Sequence, residues 1–210
     1  MRRMISISAI LLLAASLPGS SGAQGLKGRE LLGVRLGGAV SPGAVRDAFG
    51  DGSELELHFT EGLGAWFGID VALSMHNFGR ARTEITDPTS YYWNMKPEAE
   101  VYSLTVGFMA MRDISQRISL ASDAGIGLYT INAVIPAGIY EGRVYRNQLG
   151  LYGGMNLYYA LNSRGLSLDI GAKYHYVFSG DDPLQVLHVY TGEDRLGFFQ
   201  MTLGIVFFTR

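Results

Sequence analysis

Apolar and polar residues alternate along most of this chain with a period of two, most plainly at Leu166–Phe178, LSLDIGAKYHYVF. Leu166, Leu168, Ile170, Ala172, Tyr174, Tyr176 and Phe178 fall on one face, and Ser167, Asp169, Gly171, Lys173, His175 and Val177 on the other. A period of two is that of an extended strand, whose side chains point to opposite sides in turn. Eight segments carry it: Glu30–Gly38, Glu54–Thr60, Ala65–Asn77, Glu98–Met111, Arg117–Ile131, Arg143–Leu161, Leu166–Phe178 and Gly197–Phe208. Tight turns are expected at Glu61–Gly64, Arg112–Gln116 and Asn162–Gly165. Long connections are expected at Ala39–Ser53, Phe78–Pro97, Asn132–Gly142 and Gly180–Leu196, where most charges and prolines lie. An even strand number, with short turns at one end and long loops at the other, is the layout of an outer-membrane barrel with both termini in the periplasm. The fold class expected is therefore all-β, an eight-stranded antiparallel up-and-down transmembrane β-barrel.

Alternation alone does not say which face points outward, and a soluble lipocalin-like barrel would turn its apolar face inward around a ligand. Its exterior would then be the face bearing Gly33, Gly37, Gly68, Ala72, Gly107, Gly125, Gly127, Gly150 and Gly154. That face is too small and too uncharged for a solvated surface, but suits a narrow lumen. Composition points the same way: 17% of residues are charged and 28 of 210 are Gly, against roughly 25% and 7% in ordinary soluble domains. Tyr102, Tyr145, Tyr159, Tyr174, Tyr176 and Phe207 stand at strand ends, where interfacial girdles form.

Residues 1–23 read as a signal peptide: Arg2 and Arg3, an apolar run from Met4 to Leu17, Pro18–Gly19, then Ser21–Gly22–Ala23 before Gln24. The run is shorter than the roughly 20 residues a spanning helix needs. One barrel domain, residues 24–210, remains. With no Cys the chain has neither a lipid-anchored cysteine nor a disulfide, and a net charge of -2 with no Lys or Arg run excludes nucleic acid as an expected partner.

The chain resembles the small eight-stranded outer-membrane barrels, the group of the OmpX type and of the OmpA-type membrane domain. The resemblance rests on strand count, loop asymmetry and the terminal strand FFQMTLGIVFF, although Thr209 and Arg210 follow Phe208 where the group ends on the aromatic. It implies an outer-membrane location, surrounding lipid, recognition of the last strand by the outer-membrane assembly machinery, and a monomer.

Candidate chemistry is sparse. His58, His76 and His175 lie on three lumen-facing strands and His188 in a loop, with no metal-ligand spacing. A lipid-modifying barrel enzyme would need a Ser with a His near the lipid surface. Ser122 has no His on its face, and Ser179 with His188 is a spacing coincidence. No enzyme activity, cofactor or metal is expected. The loops are better placed for binding: Tyr91, Tyr92 and Trp93 could meet an extracellular protein or glycan, though packing on the barrel rim or in the outer lipid interface is the simpler account, and Asp181, Asp182, Glu193 and Asp194 could hold a cation, though solvated loop charge is the simpler account. Inside the barrel a charge cluster of Arg35, Glu56, Asp70, Asp123 and Lys173 is expected to cross the lumen and prevent free diffusion. Counting from a turn centred near Leu63 sets Glu56 opposite Asp70, with the Arg35 fork satisfying both.

Overall fold

The computed structural model describes residues 26–41, 50–78, 98–137, 140–162, 165–178 and 196–209. Residues 1–23, read above as a signal peptide, the residues Tyr91, Tyr92 and Trp93, and Ser179, Asp181, Asp182, His188, Glu193 and Asp194 lie outside the described residues. Eight strands follow in order: β1 Glu30–Val40, β2 Gly52–Gly62, β3 Phe67–Phe78, β4 Glu98–Asp113, β5 Ile118–Ala137, β6 Tyr140–Ala160, β7 Leu166–Val177 and β8 Leu196–Phe208. Each pairs antiparallel with its neighbours, and β8 closes on β1, so the sheet is a barrel without edges over its common height.

Closure carries a stagger that can be followed residue by residue. From Glu30 the register runs through Glu61, Ile69, Phe108, Ala124, Gly153, Tyr174 and Phe199 and returns to β1 at Val40, ten residues beyond its start (40 minus 30). Strands staggered in this way tilt by about 35–45° and leave an interior that side chains can fill.

The period of two decides the faces. On β2 the burial alternates strictly, with Glu54, Glu56, His58 and Thr60 inside and Leu55, Leu57 and Phe59 outside. The outer face is an apolar belt in which Phe108 is 70% and Met201 68% exposed. A contiguous exposed apolar surface of this extent is not sustained by a soluble monomer. Tyr102, Tyr145, Tyr159 and Phe207 are exposed on it, as expected for girdle residues, while Tyr174 and Tyr176 are half-buried.

Two connections differ most from the sequence expectation. The connection expected at residues 132–142 is mostly strand: β5 and β6 pair from Ile118↔Tyr159 up to Ala137↔Tyr140, forming a hairpin that outruns its neighbours. Apolar–polar alternation fades in this stretch of sequence, but backbone pairing continues. The β2–β3 turn is also later than expected. Glu61 and Gly62 remain in β2, Gly62 pairs with Gly68, and Leu63 and Gly64 donate their N–H groups to the Phe67 carbonyl at 3.1 and 3.0 Å. The extension has a partner, because the Gly62 N–H donates to the Arg29 carbonyl at 2.8 Å.

The lumen is filled in three layers. At the long-loop end Phe78, Tyr129, Val177 and Phe198 belong to one buried apolar cluster. At the short-turn end Leu26, Leu31, Met109, Met111, Tyr158 and Val206 belong to another. Charged and polar side chains occupy the space between.

A buried charge network in the lumen

The interior side chains are large, and the lumen glycines are what admit them. The His58 ring lies where a Cβ on Gly33 would stand, Tyr129 covers Gly127 and Gly150, Arg35 covers Gly204, and Lys173 covers Gly154. In each case the glycine is on the same or a neighbouring strand, so a bulky side chain lies flat against bare backbone. This accounts for glycine on the inner face more specifically than narrowness alone.

Arg35, 1% exposed on β1, is the hub. Its Nε donates to Asp169 Oδ2 at 2.6 Å, one terminal nitrogen donates to Glu56 Oε1, and the other donates to the Tyr158 hydroxyl at 3.2 Å. Lys173, 3% exposed on β7, donates to both Glu56 oxygens at 3.0 Å and stands 3.5 Å from Asp123 Oδ2. Glu56 also accepts from Gln200 Nε2 at 2.9 Å and from Ser74 Oγ at 3.2 Å. It therefore meets two cations and two neutral donors, the condition under which an enclosed carboxylate can remain ionised. Asp123 accepts from Asn156 Nδ2 at 3.0 Å.

Asp70 stands apart from this group. Because β2 and β3 turn about Ala65 rather than Leu63, Glu56 faces Ser74 and Asp70 faces Thr60. The expected Glu56–Asp70 opposition, and the Arg35 fork serving both, are thereby corrected. A turn centre two residues later separates the heights of those carboxylates by four residues without changing the face either occupies. Asp70 instead accepts from Thr60 Oγ1 at 2.6 Å and lies 3.9 Å from His58 Nδ1, whose Nε2 is 3.5 Å from Asp169. Asp169 takes the second position on the Arg35 fork. Its inward direction was legible from parity, but its proximity to Arg35 depends on β8 closing the barrel between them, with Gly204 opposite both residues.

Toward the long-loop end the hydrogen bonds acquire a fixed direction. Gln200 gives its NH2 to Glu56, which only accepts, so its Oε1 faces His175 Nε2. His175 must then carry a proton on Nε2. In the neutral ring Nδ1 is the acceptor, and the Tyr129 hydroxyl at 2.8 Å donates to it. The His175 ring stacks on Phe198, with centroids 4.7 Å apart and planes at 11°.

Among the described residues no group of three or more His, Asp or Glu side chains is placed to hold a metal ion. Ser122 pairs with Ala110 and Met155 on the row of β5 that parity turns outward, but the residue is itself buried there.

An all-antiparallel, closed, eight-stranded up-and-down barrel with an apolar exterior and a polar interior is the fold of the small outer-membrane barrels. Three solved structures show the likeness. Neisserial surface protein A is 11% identical over 86% of this chain and 97% of its own, with a TM-score of 0.55. Ail, the attachment invasion locus protein of Yersinia pestis, is 14% identical over 86% and 99%, with a TM-score of 0.51. A major outer membrane protein from Thermus thermophilus is 14% identical over 87% and 100%, with a TM-score of 0.52. No protein-family model matches the sequence, and no curated protein matches it.

Proposed function

We propose that this chain is an integral protein of the cell outer membrane, exported by a cleaved signal peptide. In this reading its barrel is a closed, monomeric scaffold whose long extracellular loops do the work of contact. The observation that carries the reading is the contrast between the two faces. The exterior is an apolar belt, while the interior is a paired charge network enclosed between two apolar clusters. Small solutes have no open polar path along such a lumen, so the barrel is not a general diffusion pore. A rigid barrel presenting loops suits a structural or surface-interactive role, with an extracellular protein or glycan as partner and Tyr91, Tyr92 and Trp93 as contact residues.

Two measurements test this. The folded protein should fractionate with the outer membrane and migrate differently on SDS gels before and after boiling. In planar bilayers it should give no large stable currents. Recovery in the soluble periplasmic fraction would favour the ligand-binding soluble barrel, which the outward-pointing Leu, Met and Phe side chains oppose. The lipid-modifying enzyme is opposed by the lack of a Ser–His pair at the outer face among the described residues. Release of a deacylated or re-acylated product from labelled lipopolysaccharide would reinstate it.

A further inference from the structure

The chain enters β1 through a turn that belongs to no strand. Leu26–Lys27–Gly28–Arg29 is closed by the Arg29 N–H donating to the Leu26 carbonyl at 2.9 Å, and Gly28 has a φ of 71°. A glycine with positive φ at the third position is the signature of a type II turn. The turn is fastened to the β2–β3 hairpin: the Leu26 N–H donates to Ala65 O at 2.8 Å, the Gly28 N–H to Gly62 O at 3.1 Å, and the Gly62 N–H to Arg29 O at 2.8 Å. The Leu26 carbonyl packs so closely on Gly62 that a Cβ there would overlap it. The effect is to fold the chain back across the short-turn mouth and place the Leu26 side chain, fully buried, among Leu31, Met109, Met111 and Val206.

We propose that the Leu26–Arg29 turn is a stopper for the short-turn mouth of the lumen, with Leu26 as its plug. The remaining cluster residues line the wall from their own strands, whereas Leu26 arrives from outside the barrel. Its placement depends on one turn and a few backbone hydrogen bonds, not on a strand ladder. Such an attachment opens locally at far lower cost than the barrel unfolds. The inference rests on the reading of the lumen as closed, and assigns the closure of one mouth to a segment that can be removed.

The natural chain has no Cys, so single cysteines report lumen access directly. Met111→Cys places a thiol beside the plug, and Ser103→Cys places one farther along the same lumen-facing row of β4. Each is reacted in detergent with a membrane-impermeant maleimide, with the heat-modifiable band verifying the fold. The turn is disturbed in two ways. Leu26→Ser removes the plug, and Gly28→Val leaves Leu26 in place but disfavours the positive φ, with no atom within 4 Å for the new Cβ to strike. Expected is slow labelling of both cysteines with the turn intact, and labelling of Met111→Cys about tenfold faster or more in either turn variant, Ser103→Cys staying protected. Equal labelling of Met111→Cys with and without the turn changes, Ser103→Cys staying protected, overturns the stopper alone. Rapid labelling of Ser103→Cys with the turn intact overturns the closed lumen itself.

Discussion

Replacing Arg35 by Met removes the hub of the lumen network while keeping much of the side chain's length. Three donated hydrogen bonds are lost, to Asp169, Glu56 and the Tyr158 hydroxyl. The two carboxylates are affected unequally. Glu56 keeps Lys173, Gln200 and Ser74 as donors, whereas among the described residues Asp169 keeps only His58 Nε2 at 3.5 Å. Breaking a buried ion pair by deleting one partner typically costs about 3–5 kcal/mol, because the charge left behind is uncompensated. The orphaned Asp169, fully buried, should account for most of it. Urea unfolding in detergent micelles, followed by Trp fluorescence, measures the loss. Lys27→Met at an exposed position serves as the control and should cost under about 0.5 kcal/mol. The unequal partners make the argument sharper. Asp169→Asn added to Arg35→Met should recover stability, since it removes the stranded charge. Glu56→Gln added to Arg35→Met should lower stability further, since it removes the carboxylate that Lys173 hydrogen-bonds and leaves it Asp123 at 3.5 Å. If Arg35→Met is no worse than Lys27→Met, or if the second substitutions act alike, the network is not organised as the distances indicate.

Other outcomes follow from the packing. Gly33→Ala should cost about 1–3 kcal/mol by forcing the His58 ring aside; Gly38→Ala, whose new methyl would meet only ordinary contact at 3.5 Å, should cost little, and equal losses in parallel unfolding experiments would contradict the packing of lumen side chains against bare glycine backbone. Nitrogen NMR of labelled His175 should find its proton on Nε2, and Gln200→Leu should abolish that preference. Tyr129→Phe should lose about 1 kcal/mol for its hydrogen bond to His175 Nδ1, which the same unfolding assay would read. Shortening residues Arg80–Lys96 should leave the heat-modifiable band intact while removing any partner binding, since loops in water do not need the backbone pairing that strands in lipid require. Loss of the band would make that loop part of the fold.

The direction of nearly every strand side chain is local information. Alternation between Leu, Val or Phe and Gly, Ser or Glu follows from the two-residue repeat of an extended backbone, so Arg35, Glu56, Asp70, Asp123 and Lys173 could all be assigned to the inner face by parity. Strand number was equally readable, and so was the alternation of short and long connections apart from residues 132–142, where β5 and β6 pair up to Ala137↔Tyr140. Height along the barrel is not local in this way. It depends on where each turn is centred, and the fastening of Gly62 to Arg29 shifted one centre by two residues and separated Glu56 from Asp70. Closure supplied what no single strand could specify. Only the β8–β1 seam brings Asp169 to Arg35, and the β5–β6 register sets the bare backbone of Gly150, opposite Gly127, beneath the Tyr129 ring. A period of two says which way a side chain points; which side chain it meets is decided by the register of strands that are distant in sequence.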